Sequence, residues 1–194
     1  LGQRTSTGLF VGLGTRVSNT QLNMQTGSLE NTGRPLDVAI MGEGFFKVQT
    51  FDGIGGGEAY TRAGNLMIDS EGNLILGTAD SPLLEPQINF PAGTDPSTVT
   101  IMGDGRISAM VDGQSQEIGQ LELYKFQNPN GLRCEGSNIY TETEASGAVL
   151  TGIPGDEGFG TLAQNFLEAS NVDAVRELTN MIRTQRYFEL NSQT

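Results

Sequence analysis

Histidine and tryptophan are missing from this chain of 194 residues, cysteine occurs once, at Cys134, and lysine twice, at Lys47 and Lys125. Each absence closes off a chemistry. Without imidazole there is no histidine-ligated metal, no Cys-His nucleophile and no Ser-His-Asp relay. A single cysteine permits neither an internal disulfide nor an all-cysteine zinc site, so Cys134 reads as a small buried hydrophobe. Cations are scarce as well: eleven basic against twenty-three acidic residues leave a formal charge of -12. Nucleic acid and anionic membrane surfaces demand clustered positive charge, and neither is expected as a partner. The plainest role of the charge is solubility. No run approaches the ~18 apolar residues of a membrane helix, so no membrane insertion is expected. Leu1 to Gly8 has neither the basic start nor the apolar stretch of a signal peptide, and the chain reads as an excised or processed piece of a soluble protein.

What the chain has in quantity is glycine, 27 residues, against only 7% aromatics. That balance spends positions on turns and favours a β-rich module over a helical bundle. The expected fold class is mainly β: a central β-meander or barrel-like domain with an extended N-terminal arm and a C-terminal amphipathic helix. From Gly8 to Asn23 there is no sustained period of two or 3.6, which fits an extended segment. The turn cluster from Thr26 to Pro35 then places a boundary near Leu36. Val38 to Met41 and Phe45 to Val48 read as two short strands around the Gly42-Glu43-Gly44 turn. Turn pairs recur at Asp52-Gly53, Glu71-Gly72, Asp104-Gly105, Asp112-Gly113 and Asn130-Gly131, the spacing of a meander. Leu66 to Ile68 and Leu74 to Leu76 flank Asp69-Ser70-Glu71-Gly72-Asn73 as a hairpin, and residues 99–101, 106–111 and 120–126 supply further strands. The breakers between Gly152 and Gly160 take the chain out of the sheet. The expected division is an arm over 1–35, a β-rich domain over 36–150, a connecting segment over 151–170 and the start of a truncated helix over 171–194.

That helix carries Val172, Val175, Leu178 and Ile182 at three- and four-residue steps, with Ser170 or Asn171 as the N-cap and Asp173 and Glu177 in the early turns. An apolar stripe must be buried somewhere, so these four residues are the candidate assembly interface. Other constellations yield to plainer readings. The glycines of Gly12 to Val17 and Gly53 to Gly57 complete no phosphate-loop pattern. Asp69 to Asn73 lacks the ligand series of a calcium loop. Glu142 and Glu144 alternate as a solvated strand face does, with nothing nearby to raise a carboxyl pKa. No catalytic residue, cofactor or metal is expected, and the chain is not read as an enzyme.

Three stretches carry a resemblance. They are Thr26-Gly-Ser-Leu-Glu-Asn-Thr-Gly-Arg-Pro-Leu-Asp-Val-Ala-Ile-Met-Gly-Glu-Gly-Phe-Phe-Lys-Val48, Tyr60-Thr-Arg-Ala-Gly-Asn-Leu66 with Asp69 to Leu74, and the run from Glu168 through Met181-Ile-Arg-Thr-Gln-Arg-Tyr-Phe-Glu-Leu-Asn191. Together with Gly119 to Leu123 and Asn128 to Leu132, they resemble the rod and hook proteins of the bacterial flagellum along nearly the whole chain. Within that family the single compact β region and the Gly8 to Val17 segment look like its distal-rod members, since hook members usually carry an additional outer domain.

The resemblance implies a structural subunit that polymerises into a tubular axial assembly and passes torque from motor to hook. It implies that an N-terminal helix pairs with the C-terminal one along the inside of the tube. The implied partners are further copies of the chain, neighbouring rod and hook proteins and the surrounding basal-body rings. The implied location is the periplasm-spanning rod, reached by flagellar export without a cleaved signal peptide. A proximal rod or hook subunit is the alternative inside the family. A β-rich carbohydrate-binding module is the alternative outside it, and would need aromatics exposed along one face.

Overall fold

The computed structural model describes residues 23–51, 53–78, 80–111 and 113–192. The extended segment read from Gly8 lies outside them up to residue 22, as do Asp52 and Asp112 of two expected turns. Strands follow one another in short pieces: β1 Leu29–Asn31, β2 Val38–Met41, β3 Phe46–Gln49, β4 Glu58–Thr61, β5 Leu66–Ile68 and β6 Leu74–Leu76. Next come β7 Leu84–Glu85, β8 Thr100–Ile101, β9 Arg106–Val111, β10 Gln114–Gln120 and β11 Leu123–Phe126. The series ends with β12 Arg133–Gly136, β13 Ile139–Thr141, β14 Val149–Gly152, β15 Thr161–Gln164 and β16 Phe166–Glu168, before one helix, α1, Ala174–Ser192.

The mainly β class with a C-terminal helix holds. Sheet order is β12-β13-β4-β3-β7 in the largest sheet and β10-β9-β8 in the next, with two-stranded pairs β1-β16, β11-β14, β15-β2 and β5-β6. No closed barrel forms among the described residues, and several pairings join strands far apart in sequence. Turn chemistry is local, so it marks where strands end but not which distant strand lies alongside. The hairpin of β5 and β6 forms as read, Leu66 opposite Leu76. Its loop closes on the Asp69 carboxylate, which accepts from the backbone N–H groups of Glu71 and Asn73, both at 2.8 Å. The Asn73 backbone bond in particular holds the Asp69 carboxyl below its usual range.

Three local readings are corrected. The strands at Val38 and Phe45 are not a hairpin: β2 pairs with β15 and β3 with β4 and β7, and the Gly42 to Gly44 link, at φ +118° and +144°, carries the chain from one sheet to another. The breaker-rich stretch before Gly160 does not take the chain out of the β structure. Gly155 and Gly158, both at positive φ, reverse it, Gly155 N–H donating to the Gly160 carbonyl, and residues 161–168 return as β15 and β16. Cys134 is exposed, because β12 is an edge strand exposed along its length.

Burial follows the strand period. In β3, Phe46 and Val48 are buried while Lys47 and Gln49 are half-buried, and β2 buries Val38, Ala39 and Ile40 in succession because both its faces are covered. A main core forms around Ile40, Phe46, Leu66, Leu84, Ile107 and Leu123. A smaller aromatic core holds Phe45, Tyr60, Tyr124 and Phe126, with Tyr60 and Phe126 edge to face at 4.7 Å between centroids. These rings face inward and do not make the exposed aromatic surface that a carbohydrate-binding module requires.

Candidate functional site

α1 begins at Asp173. One oxygen of its carboxylate accepts from the backbone N–H groups of Val175, at 2.9 Å, and Arg176, at 3.3 Å, satisfying donors that the helix start leaves open. Glu177 in the first turn adds a favourable negative charge there. Ser170 and Asn171, the expected caps, act elsewhere. Ser170 accepts from Val172 N–H, while the Asn171 amide donates to the carbonyls of Asn23 and Gln25, at 3.2 and 2.8 Å. Asn171 is spent on holding the N-terminal limb, so capping falls to the next acidic side chain.

Val172 therefore precedes the helix, and Val175, Leu178 and Ile182 share an arc of about 60° on it. All four are exposed, at 61, 73, 58 and 53%. No residue of α1 is buried. Met181 and Phe188, at 66 and 72%, continue the same face and were missed by the sequence reading. The seven-residue steps from Ala174 through Met181 to Phe188 were the signal that would have found them. The stripe spans most of the helix, and none of it enters the two cores of the β region.

The chain meets this helix through a two-stranded stalk. β1 and β16 pair antiparallel, Leu29 opposite Glu168 and Asn31 opposite Phe166, and Ala169 N–H extends the ladder to the Ser28 carbonyl. Gly27 approaches so closely that a Cβ there would overlap the carbonyl of Ala169. Where the stalk joins the β region, Arg62 and Glu168 lock it. Arg62 Nε donates to Glu168 Oε2 at 2.8 Å, Nη1 to the carbonyls of Gly42 and Gly44, and Nη2 to that of Ile40. Glu168 Oε1 accepts from Gly27 N–H at 2.8 Å. Both side chains are mostly buried, and Arg62 also stacks over Phe45. One ion pair thus ties both stalk strands to two inter-strand links of the β region. Met24 packs into the aromatic core beside it, and a cleft of about 590 Å³ opens between stalk and β region, lined by Arg34, Arg62, Asn65, Tyr140, Glu168 and Asn171.

A second charged cluster lies on the largest sheet, where Lys47 Nζ sits 2.8 Å from Glu58 and 2.9 Å from Glu85. Burial alone would lower the Lys47 pKa, but hydrogen bonds and charge from both carboxylates outweigh it and raise it. Burial likewise pushes Glu85 up, and the hydrogen bonds from Lys47 and Gln49 outweigh it, leaving its carboxyl below the usual range. Burial, then the Glu122 charge, push Tyr124 up to about 12. One ammonium is shared by two carboxylates, an arrangement that draws strands β3, β4 and β7 together.

Comparison with known proteins gives a consistent picture. Residues 39–109 match the D1-domain model of the flagellar hook proteins FlgE/F/G, and residues 163–194 match that of the C-terminal region of the flagellar basal-body rod FlgEFG proteins. Flagellar basal-body rod protein FlgG of Buchnera aphidicola subsp. Acyrthosiphon pisum is 42% identical over 189 residues, 96% of this chain and 70% of that one. FlgG of Bacillus subtilis is 40% identical over 184 residues, 94% of this chain and 68% of that one. Flagellar hook protein FlgE of Escherichia coli is 48% identical over 81 residues, 42% of this chain and 20% of that one.

Proposed function

The chain belongs to the family of flagellar hook and basal-body rod proteins, and from that premise we infer how it works. It is a structural subunit of the flagellar basal-body distal rod, and its work is done by surfaces and not by a catalytic pocket. The observation that carries this reading is the colinear similarity to FlgG proteins across nearly the whole chain, where the hook relative matches under half of it.

Val175, Leu178 and Ile182, together with Met181 and Phe188, form the face that assembly covers, with Val172 at its foot. Each Val, Leu or Ile moved out of water there contributes ~1.5 to 3 kcal/mol to the contact. Identical subunits joined by unlike surfaces build an open tube, and torque crosses each subunit through the stalk. The Arg62–Glu168 lock supports that role, because it makes the stalk and the β region one mechanical piece. The β domain is best drawn from Leu36 to Gln164, taking in β15, with β16 as the second strand of the stalk. Neighbouring rod and hook proteins are the proposed partners at the ends of the assembly and basal-body ring proteins around it, in the part of the rod that crosses the periplasm.

The test is complementation. A strain lacking its distal-rod protein should regain motility with the full-length protein, and purified full-length protein should form tubes in electron micrographs. The Leu178→Asp protein should do neither, because assembly would bury its charge. A full-length protein that restores no motility and forms no polymer sinks the reading.

A further inference from the structure

Charge is distributed unevenly between the β region and the helix. Residues 36–168 hold nineteen acidic and five basic side chains, a difference of -14, while residues 169–194 hold three of each. Among the described residues, the cations before residue 170 are already taken. Arg34, Lys47, Arg62, Arg106, Lys125 and Arg133, all those described there, each lie in an ion pair with a carboxylate of the same chain. Arg176, Arg183 and Arg186 on α1 have no ion pair among the described residues, and each is exposed. Their steps of seven and three residues gather them, with Thr179, within an arc of about 80°. This strip is centred about 130° around the helix from the apolar stripe. The two faces can therefore be occupied at once by different neighbours.

On the β region the complement is in excess. Glu71, Glu142, Glu144, Asp156 and Glu157 are exposed and form no ion pair among the described residues. Copies brought together would repel through these fields unless cations stand between them. A basic strip on the helix and an acidic excess on the β region favour a head-to-tail contact, which repeats without closing on itself.

We propose that the Arg176–Arg183–Arg186 strip of α1 docks on the acidic β domain of a second copy of this chain, so that unlike charges set the order in which subunits add. The proposal rests on the rod-subunit reading and goes beyond it by naming the second face of the helix and what covers it. The apolar stripe supplies contact area, whereas the arginine strip selects the neighbour and speeds its arrival.

The experiment has two parts on the full-length protein. In the first, Arg183→Glu/Arg186→Glu is compared with wild type for polymer growth by light scattering. The variant should grow at least about tenfold more slowly in dilute salt. The gap should close near 1 M salt, where the screening length falls to about 3 Å. Neither arginine has an ion pair among the described residues, so the circular dichroism and melting of the unassembled variant should match wild type. In the second part, Arg183→Lys/Arg186→Lys, which keeps the charge, is assembled from a mixture of isotopically heavy and light copies and treated with a carbodiimide. This reagent joins an amine to a carboxylate with loss of water.

Mass spectrometry should find residue 183 or 186 of one copy joined to a carboxylate within residues 36–168 of another. The Lys47–Glu85 pair within one copy serves as the internal control. Cross-links confined to one copy, or joining α1 only to Glu177 or Glu189 of a neighbouring helix, overturn the proposal. So does equal growth of the charge-reversed variant in dilute salt. A wild-type protein that forms no polymer at any salt instead removes the rod-subunit reading, and the proposal with it, so the two failures are distinguishable.

Discussion

At the scale of single residues, Arg62 carries the largest mechanical share, since its guanidinium bonds to one carboxylate and three backbone carbonyls. Arg62→Met leaves Glu168 mostly buried beside Gly27 without its counter-charge. The expected cost is about 3 kcal/mol in urea unfolding, and the Arg62→Met/Glu168→Gln double variant should lose less than the two single losses added together. Strict additivity would show that the two side chains act separately. Asp37 behaves oppositely. Its carboxylate is fully buried and accepts no hydrogen bond among the described residues, with the Arg34 guanidinium 3.9 Å away as its ion-pair partner. Asp37→Asn should therefore be neutral or stabilising by up to ~1 kcal/mol, because no charge-assisted hydrogen bond is lost. A clear drop in melting temperature would reveal a partner for that carboxylate. For Glu85 the fold holds the carboxyl below its ordinary value near 4.5. The unfolded chain takes up the proton first as acid is added, so this group's contribution is complete above its unfolded value and disappears as pH falls through the folded one. Wild type should lose stability below about pH 5 more steeply than Glu85→Gln, by urea unfolding across the range. Parallel curves would rule out Glu85 as a source of the acid sensitivity.

At the scale of elements, α1 is stable as a helix for local reasons and exposed for global ones. Asp173 caps it and about half of its residues are strong helix formers, yet none of its residues is buried. Leu178→Asp in this chain, at a side chain 58% exposed, should shift the melting temperature of the β region by no more than a degree or two. A variant that unfolds the β region would show the helix packed on its own sheets. The stalk is the contrasting case. β1 is exposed throughout and β16 half-buried, so the pair draws its order from the backbone ladder, the Asn171 amide and the Arg62–Glu168 lock, with little support from a core.

At the scale of the whole molecule, the strands close two adjoining cores, while α1 contributes to neither. Limited proteolysis should cut within 171–192 first and leave 36–168 resistant for far longer, with mass spectrometry reading the boundaries. Early cleavage between residues 60 and 126 would contradict the architecture. The expected order also bears on assembly. A helix that is cleavable in the free chain and protected in polymers would place its faces at subunit contacts.

The sequence by itself determined the class of protein and the local elements. The absence of histidine, the acidic excess, the Asp-Gly and Glu-Gly turns, the 66–76 hairpin and the Val175-Leu178-Ile182 stripe all depend on composition or on neighbours within a few positions, where side-chain chemistry acts directly. Tertiary structure decided what joins across distance. Pairing of β2 with β15 and of β1 with β16 links residues more than a hundred positions apart. No local pattern in either strand specifies that register, because the core and the sheet around it choose the partner. The same holds for the site. Periodicity marked Leu178 but not the Arg62–Glu168 lock, since a lone arginine and a lone glutamate are ordinary surface residues until the fold carries them into contact and takes both out of water.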